Sequence, residues 1–119
     1  MSLNIRLEDD VTILSNFGRL MNDPRHVDAA RDVEDRLDQG EREFVMEMNS
    51  VHETGASFLG LLMTITRAVR KRGGDVVLAR PSPAIRRLVD EMQMDDYWDV
   101  FDSVDEAKAY YRRHDVEPE

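Results

Sequence analysis

The chain has 119 residues, of which 41% belong to the AVILMFWYC set and 34% are charged; this describes one soluble globular domain and excludes collagen, coiled-coil arrays and low-complexity disorder. It has no cysteine, which excludes a disulfide scaffold, an all-cysteine metal site and thiol catalysis, and fits a reducing, cytoplasmic setting. The net charge of −9 gathers at one end: residues 1–87 hold 13 bases against 14 acids, residues 88–119 hold 3 against 11, the reverse of what a nucleic-acid binder carries.

Ile5 and Leu7 alternate with polar neighbours, and Val11-Thr12-Ile13-Leu14 follows Asp9-Asp10; this predicts two short strands around an acidic turn, with Gly18 ending the second. Asn22-Asp23-Pro24 is a helix-start signal, with Asp23 at the N-cap and Pro24 at the first helical position. The helix it opens carries Val27, Ala30, Val33 or Glu34, and Leu37 at helical spacing, and Gly40 stops it. Phe44 to Met48 reads as a strand with Phe44, Met46 and Met48 on one face. A polar loop, Asn49 to Gly55, leads to a long helix from Ala56 to Arg72 whose stripe is Phe58, Leu61, Leu62, Ile65 and Val69, with Gly73-Gly74 as its stop.

Asp75 to Ala79 is a nearly continuous apolar run, as a buried central strand should be. Ser82 caps a helix whose first residue is Pro83 and whose apolar face is Ile85, Leu88, Val89 and Met92. Tyr97 to Phe101 is a short strand candidate, in which Trp98 covers the sheet edge or meets a partner. Ser103-Val104-Asp105-Glu106 has the S-x-x-E pattern of a capping box and opens a last helix to Arg113. The order is β-β-α-β-α-β-α-β-α: an α/β single layered domain over 1–114, a mostly parallel sheet with helices packed on it, and a loose acidic tail at 115–119. The longest apolar run, Phe58–Met63, is too short to span a bilayer, and Met1–Arg6 lacks the pattern of a secretion signal.

Catalytic motifs are scarce. There is no G-x-S-x-G elbow and no phosphate-cradling glycine loop. His26, His52 and His114 lack metal-ligand spacing. Glu47 and Glu53, flanking one turn, are a weak acid–base pair, with Glu47 expected to face solvent or cap its strand. The cations Arg67, Arg70, Lys71, Arg72, Arg80, Arg86 and Arg87 read as helix-end and surface charge, or as a docking patch for an acidic partner.

The ordered set of segments resembles the STAS domain, the anti-sigma factor antagonist family. The residues that carry the likeness are Phe17-Gly18-Arg19-Leu20, Glu43 to Val51, Phe58-Leu59-Gly60-Leu61-Leu62, Arg72 to Ala79, Pro83 to Leu88 and Phe101 to Ala107. The resemblance implies a STAS-like fold and a protein-binding module, with no catalytic residue, cofactor or metal. It implies an unphosphorylated antagonist that captures an anti-sigma factor, itself a serine kinase, and is released when a serine in a D-S-S-G pattern at the start of the second helix is phosphorylated. That position has a physical logic: a helix N-terminus offers unpaired N–H groups and positive dipole, while a phosphate there brings about −1.5 to −2 charge into a docking face.

Here the pattern departs. D-S-S-G falls on Gly55-Ala56-Ser57-Phe58, so the acceptor position is Ala56, which has no hydroxyl; a further family acid falls on Met21. Two readings stay open: the switch is lost, or Ser57 or Thr54 has become the acceptor. Either residue would otherwise serve as a helix cap. The expected partner surface is Met21, Asn22, Asp23, His52, Glu53, Thr54, Gly55, Ala56, Ser57 and Phe58, with Met21 and an outward Phe58 ring supplying apolar area. The alternatives are a regulatory subunit of a transporter or stress-signalling complex, and a small-ligand or nucleotide-binding domain, which a deep polar pocket near Thr54 would favour.

Overall fold

The computed structural model describes residues 3–20, 28–54 and 56–115. Five strands form one sheet in the simple order β1 to β5: β1 (Asn4–Glu8), β2 (Val11–Ser15), β3 (Glu43–Glu47), β4 (Asp75–Ala79) and β5 (Val100–Phe101). β1 and β2 are antiparallel in the register Asn4↔Ser15 to Glu8↔Val11, and every later pairing is parallel. The hairpin turns on Asp9 and Asp10 with φ of 54° and 67°, both left-handed as a two-residue turn matching the strand twist requires. The acidic turn is thus as expected.

Helices α2 (Asp28–Asp38), α3 (Ala56–Lys71) and α4 (Pro83–Glu91) contribute to the larger core on one face, and α5 (Val104–Asp115) covers the other. Alternation sorts the strands accordingly. Phe44, Met46 and Met48 enter the larger core and Val45 the smaller; Val76 and Leu78 enter the first, Val77 and Ala79 the second. Being buried on both faces is why these strands read as apolar runs. All five residues of the expected α3 stripe are buried.

The structure amends several expectations. Gly18 does not end a strand; it sits in a one-turn helix, α1 (Phe17–Leu20). In α2 the buried residues are Ala29, Val33 and Leu37, a strict four-residue step, so Ala29 takes the place expected for Ala30. The cap expected at Asp23-Pro24 lies outside the described residues, as do 116–119. Met92 follows α4 and is 51% exposed. α5 runs on to Asp115. Tyr97 and Trp98 are not strand: Arg70 of α3 donates from Nη2 to the Tyr97 carbonyl at 2.6 Å and lies 4.8 Å over its ring. That grip turns the chain so that Trp98 enters the core, and only Val100 and Phe101 pair with β4.

Polar groups tie the layers. Ser103 Oγ accepts the Glu106 N–H at 3.1 Å, and Glu106 accepts the Asp102 N–H at 3.1 Å, a capping box displaced by one residue on its return arm. Lys108 of α5 bridges Glu8 and Asp9, each at 3.1 Å. Its ammonium is held above its ordinary range by Asp9 first and then Glu8, while Arg6 and then Lys108 hold the Glu8 carboxyl below its own.

Tyr111 is buried, and its hydroxyl donates to the Phe44 carbonyl at 2.8 Å. Burial, the leading cause, raises its phenol well above the ordinary value of 10. A raised folded pKa gives stability that is present below the unfolded value and lost as pH rises past it. Tyr111→Phe should therefore cost about 1 kcal/mol at neutral pH for the lost hydrogen bond. It should also make the alkaline fall in Tm above about pH 10 shallower than in the parent. Thermal melts by circular dichroism from pH 7 to 11 check both.

Candidate functional site

The segment Met48 to Thr54 leaves the C-terminal end of β3 and is held from three sides. The Met48 N–H donates to the Ala79 carbonyl at the end of β4, 2.9 Å, and the Val51 N–H closes a turn on Met48 at 3.2 Å. Ser50 Oγ accepts the Gly18 N–H at 3.1 Å. A Cβ on Gly18 would lie 2.1 Å from the Ser50 carbonyl oxygen, so this approach of two backbones requires glycine. On the other side the Ser82 hydroxyl donates to the Val51 carbonyl and accepts the Ile85 N–H at 3.2 Å.

Sequence reasoning found Ser82 as a cap but missed that it is also the tether of this loop. The available signal was proline on both sides: Pro83 pushes Ser82 to extended backbone (φ −72°, ψ 163°), which lets the side chain serve helix and loop together. Ser50 carried no such signal; its role depends on the approach of Gly18 across 32 residues.

From this braced base the chain projects outward. His52 and Glu53 are exposed, Thr54 is half-buried, and Ser57 is exposed on the first turn of α3. Ala56 is the first residue of that helix. Phe58 does not face out: its ring is 2% exposed and meets Phe17 of α1 edge-on with centroids 6.3 Å apart. It supports the surface from beneath and adds no contact area. Met21, Asn22, Asp23 and Gly55 lie outside the described residues.

Glu47 is buried, with Arg80 at 2.8 Å and Arg6 at 3.7 Å. It neither faces solvent nor stands ready as half of an acid–base pair with exposed Glu53; two guanidiniums hold it. Four of the seven cations read as a possible patch are ion-paired. Arg70 pairs with Asp75, Arg72 with Glu34 and Asp38, Arg80 with Glu47 and Arg86 with Asp102. Three cavities lined by described residues lie at Pro81 to Val100, at Arg42 to Tyr111 and at Leu7 to Glu43. No helix among the described residues is long and apolar enough to cross a membrane.

Removal of the Ser82 hydroxyl tests the bracing. Ser82→Ala loses a cap contact worth about 1 kcal/mol and leaves the Val51 carbonyl short of a partner at a similar cost. A loss of about 2 kcal/mol in urea unfolding is expected, together with faster amide exchange over Val51 to Thr54.

The sequence pattern of the STAS domain matches residues 6–107. A Thermotoga maritima protein named as an anti-sigma factor antagonist is 22% identical over 108 residues, covering 91% of this chain and 96% of its own. The structure of an anti-sigma-factor antagonist (STAS) domain protein from Planctomyces limnophilus superposes with a TM-score of 0.75 at 18% identity, over 90% of this chain and 95% of that one. The Bacillus cell-fate determinant SpoIIAA in its phosphorylated form gives 0.67 at 13% identity, over 92% and 99%. These structures share the mixed sheet with helices on both faces, and the match over residues 6–107 places the chain in the STAS domain family.

Proposed function

We propose that this chain is a binding module of the anti-sigma factor antagonist kind: it captures an anti-sigma factor that is also a serine kinase and carries out no turnover of its own. The observation that supports this reading is the braced loop, which exposes His52 and Glu53 a few residues before Ser57, itself exposed on the first turn of α3. A preorganised loop loses little conformational entropy on docking. Met21, Asn22, Asp23, Gly55 and Ala56 complete the proposed contact surface, with Phe58 as its internal support.

In this reading the phosphoswitch is degenerate, because alanine at position 56 stands where the family places its acceptor. The capture is then constitutive. A second reading rests on Ser57, which is exposed on the first turn of α3, where unpaired N–H groups favour a phosphate. It makes Ser57 a substitute acceptor.

Calorimetry against the serine-kinase anti-sigma factor encoded in the same genome tests the binding. A saturable complex is expected, and Glu53→Lys should weaken it by about fivefold to tenfold, chiefly through recognition of charge. Absence of heat and of co-elution would remove the reading.

A further inference from the structure

A second surface lies at the edge of the sheet, two strands from β3. β5 is the edge strand, and its ladder to β4 uses the carbonyls of Asp99 and Phe101, which accept from Leu78 at 2.9 Å and Arg80 at 3.0 Å. In a parallel ladder the residue between such acceptors turns its own N–H and C=O the other way. Val100 is that residue, so its backbone groups point off the edge of the sheet, and its side chain is 38% exposed. Beside it is a groove of about 180 Å³ lined by Pro81, Ile85, Arg86, Val89, Asp95 and Val100, with Met92 exposed nearby in sequence at the end of α4.

Charge selects the occupant. From Leu88 to Glu106 there are eight carboxylates and no basic residue, and all eight acids are exposed; the groove itself is lined by one acid, Asp95, and one cation, Arg86, whose charge is paired with Asp102 at 3.1 Å. A second copy of the chain joined edge to edge would bring two such acidic segments together, which like-charge repulsion disfavours. A cationic segment meets the opposite situation. An extended peptide placed on a sheet edge takes affinity from main-chain hydrogen bonds and selectivity from pockets for alternate side chains.

We propose that the edge of β5 and the adjoining apolar groove bind a short extended segment of a partner protein in which aliphatic residues alternate with lysine or arginine. An aliphatic side chain occupies the groove between Ile85, Val89 and Val100. The flanking cations face Asp95 and the neighbouring acids.

The probe is the heptapeptide Lys-Val-Lys-Val-Lys-Val-Lys, titrated into the ¹⁵N-labelled full chain and followed by amide shifts. Saturable shifts centred on Val100, Ile85 and Val89 are expected, and Glu-Val-Glu-Val-Glu-Val-Glu should produce none. Val100→Pro removes an N–H that β4 does not use, which an edge position tolerates, together with the valine side chain that lines the groove, and should weaken the peptide by about tenfold or more. Asp95→Lys with Asp96→Lys leaves the backbone intact and should weaken it similarly, deciding the matter if the proline variant misfolds. The proposal is overturned by shifts centred elsewhere, by no saturation, or by an unchanged affinity in a folded variant. It is equally overturned by equal binding of the acidic peptide, or by dimerisation of the unliganded chain through Val100.

Discussion

Replacing Trp98 by alanine is expected to cost about 3–5 kcal/mol, the largest loss from any single side chain considered in this protein. The indole is 2% exposed within the larger core. Its Nε1–H donates to Thr66 Oγ1 at 2.9 Å, and Thr66 in turn donates to the Leu62 carbonyl at 2.7 Å. Trp98 therefore joins the connection between α4 and β5 to the middle of α3. Tyr97 packs edge-on against it at 4.7 Å, under the Arg70 guanidinium. At about 4 °C per kcal/mol for a domain of this size, the alanine variant should melt about 12–20 °C below the parent. Two gentler variants separate packing from hydrogen bonding. Thr66→Val strands a buried indole N–H, at about 1–3 kcal/mol, whereas adding Trp98→Phe to it removes the stranded donor. The double variant should thus lose less than the sum of the two single losses. Strict additivity in a double-mutant cycle would mean that this hydrogen bond contributes nothing.

Gly18→Ala is expected to cost about 2–3 kcal/mol and, more tellingly, to disturb binding. The added methyl carbon would sit 2.1 Å from the Ser50 carbonyl oxygen and 2.9 Å from its carbon. Backbone has to move apart, and the Gly18 N–H bond to Ser50 Oγ stretches or breaks. Because the same loop carries His52 and Glu53, the displacement reaches the proposed docking surface. A matched control exists at Gly74, before β4, where a Cβ would lie 2.3 Å from the Arg42 carbonyl oxygen and 2.8 Å from Val69 Cγ1. Gly74→Ala should destabilise to a similar degree while leaving partner affinity intact below its melting temperature. Equal loss of affinity in both variants would show that Gly18 acts only through global stability.

The parts of this molecule that could be read from the sequence are those decided by local chemistry. The stripe on α3, the Ser82-Pro83 start of α4 and the apolar run of β4 each follow from periodicity, capping or two-sided burial, and each is found in place. What was missed depends on contacts between distant residues. α1 is a single turn containing glycine, too short for a periodic pattern; its glycine is required by Ser50, 32 positions away. Tyr97-Trp98 has strand-forming side chains, but Arg70 and Thr66 of α3 hold that segment in a turn. In α2 the step from Ala29 to Val33 to Leu37 is as regular as one through Ala30, and only the sheet distinguishes the two faces.

The candidate surface was legible to the same extent. Loop and helix start were identified as one region, while the inward turn of Phe58 was not, because the first turn of a helix can present an aromatic ring to either side until its neighbour is known. Here Phe17 decides it. Phe58→Asp would consequently act on the core as well as on any partner, and surface variants such as Glu53→Lys are the cleaner probes.

The most direct measurement mixes the chain with the serine-kinase anti-sigma factor of the same genome, adds Mg-ATP, and follows size-exclusion elution together with intact mass and phosphosite mapping. A complex that forms, keeps its mass ratio after ATP and leaves this chain unphosphorylated is the predicted result. Failure to form a complex would contradict the binding role, and release accompanied by phosphate on Ser57 or Thr54 would contradict the loss of the switch.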